Sequence, residues 1–199
     1  MEIQILGSSS GTPTKKRNVS AALIKLQSRK NWYLVDCGEG TQHQLLHTKH
    51  SLNQPSAILI THVHGDHCFG LPGLLASATM AGRTDTLTII GPAEIKPVIE
   101  TVMGLSESRF SYELEFIDVA MEFTDFSIEP VVLSHRVPSF AYAFTEKGMS
   151  AKLDIDKLKA DNVPAGPTWG KLQKGRDLTL DDGRELSVFS DHFLLLIPY

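Results

Sequence analysis

Apolar and β-branched residues fall in short runs along most of the chain, each run bounded by Gly, Pro, Asn or Ser. That pattern predicts strands at residues 2–6, 19–27, 32–36, 57–61, 86–90, 112–117, 126–133 and 140–145. The run Ala57-Ile58-Leu59-Ile60-Thr61 is apolar without alternation, as expected of a strand covered on both faces. Helical spacing predicts helices at 41–50, 72–81 and 92–103. Pro72 and Pro92 would then sit in first turns, where a missing N–H does no harm, whereas Pro97 would shorten or kink the third helix. Strands punctuated by helices, with no internal repeat, indicate a layered α/β architecture.

The pattern changes after Gly148. Residues 151–183 are polar, carry Pro164, Gly166, Pro167, Gly170 and Gly175, and bear lysines at 152, 157, 159, 171 and 174. One short helix is expected there, with Asp154 or Asp156 near its start. The rest reads as an extended arm, because it holds too few large apolar residues for a separate core. The chain then runs through Phe193-Leu194-Leu195-Leu196-Ile197-Pro198-Tyr199, an apolar stretch expected to continue into further structure. The expected organisation is a core over 1–148, an arm over 149–185 and a return segment over 186–199.

Size and charge narrow the class. A chain of 199 residues suits one domain or a tight pair of half-domains. It can bury roughly 70% of the surface that its unfolded form exposes. With 42% hydrophobic and 21% charged residues, wholesale disorder is excluded. Lys plus Arg total 19 against 23 for Asp plus Glu, a net charge of -4 that excludes a general polyanion binder. Any nucleic-acid contact has to come from a local basic patch. Two cysteines, Cys37 and Cys68, build no multi-bridge framework and fit a reduced, intracellular setting. No basic stretch precedes an apolar region at the N-terminus, and no apolar run approaches the ~20 residues that span a bilayer. The expectation is a cytoplasmic protein with no membrane partner.

The densest chemistry is His62-Val63-His64-Gly65-Asp66-His67, at the exit of the apolar strand. In an extended segment His62 and His64 point the same way and can reach one ion. Gly65 permits a sharp turn that aims Asp66 and His67 at a neighbouring point. Imidazole nitrogen and carboxylate oxygen suit zinc, and also manganese or iron. The alternative, a polar loop of capping histidines, would gather mutual repulsion whenever protonated.

The motif His62-x-His64-x-Asp66-His67 resembles the signature of the metallo-β-lactamase fold. Its surroundings are similar to ribonuclease Z, the endonuclease that trims the 3′ end of precursor tRNA. The residues that carry this likeness are Asp36-Cys37-Gly38-Glu39-Gly40-Thr41-Gln42 and Phe69-Gly70-Leu71-Pro72-Gly73-Leu74-Leu75. Leu6-Gly7 with Pro13-Thr14-Lys15-Lys16-Arg17-Asn18, and Leu133-Ser134-His135-Arg136-Val137-Pro138-Ser139-Phe140, add to it. The stretch from Val163 to Arg184 resembles that family's tRNA-gripping arm.

The resemblance implies an α/β fold of the metallo-β-lactamase type, an αββα sandwich whose second half is incomplete here. It implies a zinc-dependent endoribonuclease that removes the 3′ trailer by attack of a metal-activated water on a phosphodiester. It places His62, His64 and His135 around one zinc, and Asp66 and His67 at a second, with Asp66 also helping to deprotonate the water. Two ions can hold both the entering and the leaving oxygen of a phosphodiester. Taken alone, His135 after Val131-Val132-Leu133 would pass for a capped or buried histidine.

Asp36 is expected to brace the histidine loop as an acceptor, with a simple turn carboxylate before Gly38 as the alternative. Cys37 and Cys68 read as packed residues rather than ligands. His43, His47 and His50 recur at helical spacing without a carboxylate and read as a solvated helix side. Lys15, Lys16, Arg17 and Asn18 lie in a Gly/Ser/Pro loop where they could meet phosphates near the cleavage point. Lys171, Lys174 and Arg176 could hold the tRNA body, with Trp169 packing there or stacking.

The resemblance also sets an expected gap. The family's bridging aspartate, the histidine that completes its second site and a leaving-group histidine lie beyond the arm, with no counterpart in this sequence. Asp191-His192 is the only late Asp/His pair and sits in no metal motif. One well-coordinated zinc is therefore expected, against two in intact relatives, with impaired or absent cleavage. The competing readings are an inactive tRNA-binding or dimer-partner fragment, and a general phosphodiesterase of the same fold. A homodimer is a further implication of the resemblance.

Overall fold

The computed structural model describes residues 1–26, 30–117, 121–122, 126–146, 155–160, 162–173, 178–180, 182–183, 185–186 and 193–195. The chain divides into a larger unit built mainly from residues 1–119 and 130–142, and a smaller one from 120–129 and 143–194.

In the larger unit, β1 (Glu2–Gly7), β2 (Ala21–Lys25), β3 (Trp32–Val35), β4 (Pro55–Leu59), β5 (Leu87–Ile90) and β6 (Leu114–Ile117) form one sheet in chain order. The first three strands are antiparallel, and β3 to β6 are parallel. Each parallel step passes through helix: α1 (Thr41–Leu46), then the short α2 (Gly65–Cys68) with α3 (Leu71–Met80), then α4 (Ile95–Leu105). Strands that add in one direction through right-handed crossovers put all these helices on one face. There Leu45 of α1, Leu71, Leu74, Leu75 and Ala78 of α3, and Ile95, Ile99 and Met103 of α4 share one core with Leu23, Trp32, Leu34, Ile58 and Ile89.

The opposite face is covered too. Ala22, Ile24, Tyr33, Val35, Ala57 and Leu59 are at most 3% exposed, which is why these strands read as unbroken apolar runs. Arg83 ties the entry edge of the sheet together. Its buried guanidinium donates to the carbonyls of Asn53, Pro55, Asp85 and Thr86, and lies 5.4 Å from the centre of the Tyr112 ring.

Three element boundaries depart from the sequence pattern for identifiable reasons. The second strand is shorter, and Val19 makes only an isolated bridge with Ser9. The first helix stops at Leu46, and the Thr48 hydroxyl takes up the Leu45 carbonyl. His50 consequently lies off the helix and is buried, its ring centre 6.2 Å from that of Trp32, so it is no part of a solvated helix side. His43 and His47 are exposed. Helix α4 starts at Ile95, which leaves Pro92 outside and Pro97 in the first turn, where its missing N–H breaks no bond and no kink is needed.

A second sheet has the order β12 (Phe193–Leu195), β9 (Ser139–Glu146), β8 (Phe126–Leu133), β7 (Met121–Glu122). Within the larger unit, the Phe140 N–H donates to Thr61 O at 2.9 Å and the Tyr142 hydroxyl to Ile60 O at 2.9 Å. Those two bonds hold the 134–138 turn beside the exit of β4. The smaller unit contains α5 (Ile155–Ala160), α6 (Pro167–Gln173) and a hairpin of β10 (Leu178–Thr179) with β11 (Glu185–Leu186). Its Val163 and Leu172 are buried, and Trp169 Nε1 donates to Val163 O at 3.2 Å, so two helices and a hairpin stand where one helix was expected. Among the described residues, no helix is long and apolar enough to cross a membrane.

Candidate metal centre

Strands β3 and β4 are parallel neighbours, so their carboxyl ends open at one edge of the sheet, where α/β proteins build sites. The Asp36 N–H donates to Leu59 O at 2.8 Å, which brings Asp36 alongside Thr61 and His62. Asp36 adopts a left-handed backbone with φ 60, a conformation that Asp tolerates better than most residues. Its carboxylate is fully buried. Oδ1 accepts the Thr61 N–H at 2.8 Å and the Thr61 hydroxyl at 2.9 Å. Oδ2 accepts the Ser20 hydroxyl at 3.2 Å and lies 2.6 Å from His67 Nδ1.

Above that carboxylate the imidazoles converge. The rings of His62, His64 and His135 have centroids 4.8, 4.9 and 5.0 Å apart, and one nitrogen from each lies within 4.8 Å of the others. His135 Nε2 and His64 Nδ1 are 3.3 Å apart. Two nitrogens bound tetrahedrally at ~2.0–2.1 Å from one ion would sit about 3.3–3.4 Å apart, so this pair already has the spacing a shared cation requires. Three imidazoles in one half-buried pocket are a donor set that fits a borderline-soft divalent ion.

Asp66 and His67 lie in the first turn of α2. Asp66 Oδ2 accepts the Gly11 N–H at 2.7 Å and stands 3.5 Å from His67 Nε2. His62, His64, Asp66, His67 and His135 all line one cavity of about 530 Å³, together with the 8–11 loop.

Burial, with the adjacent His67, pulls the His62 pKa down to about 4 against the opposing charge of Asp36, so this imidazole is neutral at pH 7. Burial alone would lower His67 as well. The hydrogen bond and charge of Asp36, with help from Asp66, outweigh it and raise that pKa. Burial also raises both thiols, Cys68 to about 11 and Cys37 further. Both are free, buried cysteines, and Cys68 Sγ donates to His64 O at 3.4 Å.

Two glycines let the Asp36 tail and the histidine helix touch backbone to backbone. The Cys37 N–H donates to His67 O at 2.8 Å and the Gly70 N–H to Cys37 O at 2.9 Å. A Cβ on Gly38 would lie 2.2 Å from Asp66 O, and one on Gly70 would lie 2.1 Å from Gly38 O. Gly65 acts differently from the sequence expectation. It opens α2 without a left-handed φ, and its missing side chain makes room for the Phe69 ring, which a Cβ would meet at 2.3 Å.

Lys15, Lys16 and Arg17 are exposed, on a loop closed by the Thr14 N–H to Arg17 O at 2.8 Å and the Arg17 N–H to Thr14 Oγ1 at 2.9 Å. Asn18 pins that loop. Its side chain donates to Glu39 O at 2.8 Å, and its carbonyl accepts the amides of Ser8 and Ser9. Lys171 is exposed on α6, whereas Lys174, Arg176, Asp191 and His192 lie outside the described residues. Thr61, Ser20 and Gly11 are members of the site that the sequence reading missed. A hydroxyl at the end of an apolar run, directly before His62, was the available signal for Thr61. Gly11 is 55 positions from Asp66, and nothing local marks the pair.

Comparison with known proteins adds family context. Residues 1–124 match the family model described as Anti-Pycsar protein Apyc1. Ribonuclease Z of Marinobacter nauticus is 52% identical over 193 residues, covering 94% of this chain and 59% of the relative. The chain thus spans about three-fifths of that relative's length. Among solved structures, the short form of human tRNase Z matches with a TM-score of 0.65 at 28% identity, over 74% of this chain and 66% of that one. A metallo-beta-lactamase fold protein from Bacillus subtilis matches with a TM-score of 0.57 at 22% identity, over 72% of this chain and 57% of that one, a likeness of fold alone.

Proposed function

This chain belongs to the family described as Anti-Pycsar protein Apyc1 and is a homologue of ribonuclease Z with a metallo-β-lactamase fold; from that premise we propose a metal-dependent endoribonuclease acting on precursor tRNA. The observation that carries the reading is the convergence of His62, His64 and His135 in one cavity with Asp66 and His67. Zinc is the ion we assign, on the strength of the imidazole donors. When bound, such an ion lowers the pKa of water towards neutrality and offers positive charge to a phosphodiester.

The chain's own residues divide the work. His62, His64 and His135 would hold the first ion, and Asp66 with His67 would face a second. The Gly11 amide fixes the Asp66 carboxylate, which accepts the proton of the attacking water. Asp36 orients the imidazoles from below. The exposed Lys15, Lys16 and Arg17 take phosphates near the scissile bond, Asn18 shapes their loop, and the 149–185 arm with Lys171 and Lys174 grips the tRNA body. Among the described residues the second site has two candidate protein ligands, Asp66 and His67. We infer a cytoplasmic protein and a homodimer, and the exposed Leu46 and Met80 on α1 and α3 support the dimer. Light scattering on the purified chain tests the dimer.

The test of function is cleavage of a 3′-extended precursor tRNA with zinc or manganese present. We expect 3′ trimming that a chelator and His64→Ala both abolish. Metal-independent cleavage, or trimming unchanged in the variant, contradicts the proposal. A second reading, resting on the same imidazole cluster, is a phosphodiesterase for small substrates. Faster turnover of a chromogenic phosphodiester than of precursor tRNA would select it.

A further inference from the structure

Thr61 stands between the buried carboxylate and the imidazole cluster, and its single hydroxyl proton has two claimants. Oγ1 lies 2.9 and 3.0 Å from the two oxygens of Asp36, and 3.0 Å from His62 Nδ1. A carboxylate accepts and does not donate, so the hydroxyl proton belongs to Asp36. The opposite orientation would set hydroxyl lone pairs against carboxylate lone pairs at 2.9 Å inside a buried site. With its proton spent, the Thr61 oxygen has only acceptor capacity left for His62. We infer that Asp36, through Thr61, fixes His62 as the Nδ1–H tautomer and leaves its Nε2 lone pair free for a cation; Thr61 is thus a positioning residue.

The same carboxylate acts on a second ring without a relay. His67 Nδ1 is 2.6 Å from Asp36 Oδ2 and 3.3 Å from Thr61 Oγ1, so its proton goes to the carboxylate. The rings of His62 and His67 have centroids 4.0 Å apart. One buried acid therefore sets the free nitrogen on two neighbouring imidazoles, one directly and one through a hydroxyl. The inference rests on the reading that this cluster holds a cation, and it can be tested apart from that reading.

The experiment pairs long-range ¹H–¹⁵N correlation spectra of the metal-free, histidine-labelled chain at neutral pH with cobalt(II) titration. Wild type should show His62 protonated on Nδ1 alone, and Thr61→Ser should keep that signature. Thr61→Val removes the acceptor, so the pure Nδ1–H signature is lost and cobalt affinity falls by about 10–100-fold, the usual effect of deleting a group that orients a ligand. Asp36→Asn is the sharper variant, because Asn also tolerates the left-handed backbone at this position. Its Oδ1 still accepts from Thr61, so its NH2 faces His67 Nδ1, which must then accept, and the His67 proton moves to Nε2. His62 found on Nε2–H in the wild type, or an unchanged tautomer and affinity in folded Thr61→Val, overturns the inference. A Thr61-dependent tautomer in a chain that takes up no cobalt keeps the inference and removes the metal reading. Tight cobalt uptake with a tautomer indifferent to Thr61 does the reverse.

Discussion

Gly70→Ala should damage the candidate centre from the back without touching any imidazole. The added Cβ would stand 2.1 Å from Gly38 O, 2.9 Å from Gly38 C and 3.0 Å from Cys37 O, all of them main-chain atoms of the segment that carries Asp36. Ordinary contact begins near 3.5 Å, so the two segments must part by more than about 1 Å. Such a shift breaks the Gly70 N–H to Cys37 O bond and the Cys37 N–H to His67 O bond, and stretches the 2.6 Å pair between His67 and Asp36. Two backbone bonds at ~0.5–1.5 kcal/mol each, a charged one at ~1.5–3, and relief of overpacking by partial relaxation give a loss of about 3–5 kcal/mol. That is a large fraction of the ~5–15 kcal/mol typical of a domain. Urea unfolding followed by circular dichroism measures it, with cobalt titration beside it. Gly104→Ala is the control, since its Cβ meets nothing within 4 Å inside α4, and it should stabilise by up to ~1 kcal/mol. If Gly70→Ala unfolds within ~0.5 kcal/mol of wild type, the rigid seam assumed between these backbones does not exist.

Arg83→Ala leaves four carbonyls without their buried donor and should cost about 2–4 kcal/mol in thermal or urea unfolding, with Arg83→Lys recovering little because one amine does not span all four. For His62 the folded pKa of about 4 lies below the ~6.5 of an unfolded imidazole, so the unfolded state takes the proton first. Stability contributed by this group is therefore full above ~6.5 and falls as pH drops toward 4, and metal-free His62→Asn should show a flatter urea midpoint over that window than wild type. Changing Lys15, Lys16 and Arg17 to Ala should weaken tRNA binding and leave ion uptake intact. The log–log salt dependence of that binding should become shallower by ~0.7–0.9 for each phosphate that the variant no longer neutralises.

The sheet was legible because burial on both faces writes itself into composition. Ala57 to Ile60 are unbroken apolar residues, and all four are buried. The histidine motif was equally visible, being local in sequence. Helix ends were less so, since His43, His47 and His50 keep helical spacing although the chain leaves the helix at Leu46 and buries His50 against Trp32. Asp36 was expected to brace the histidine loop, but the partners through which it does so were not legible. Asp36 reaches Thr61 across 25 positions and His67 across 31, and the Gly38–Gly70 approach joins two segments that only the β3–β4 pairing brings together. Distances of that kind follow from strand order, which local pattern does not encode.

Metal content per folded chain is the most direct test of the account. After exposure to zinc and exhaustive dialysis, elemental analysis of wild type should find one tightly held ion per chain, and the His62→Ala, His64→Ala, His135→Ala triple variant, folded by circular dichroism, should hold none. A folded wild type that retains no ion, or a triple variant that retains as much as wild type, would contradict it.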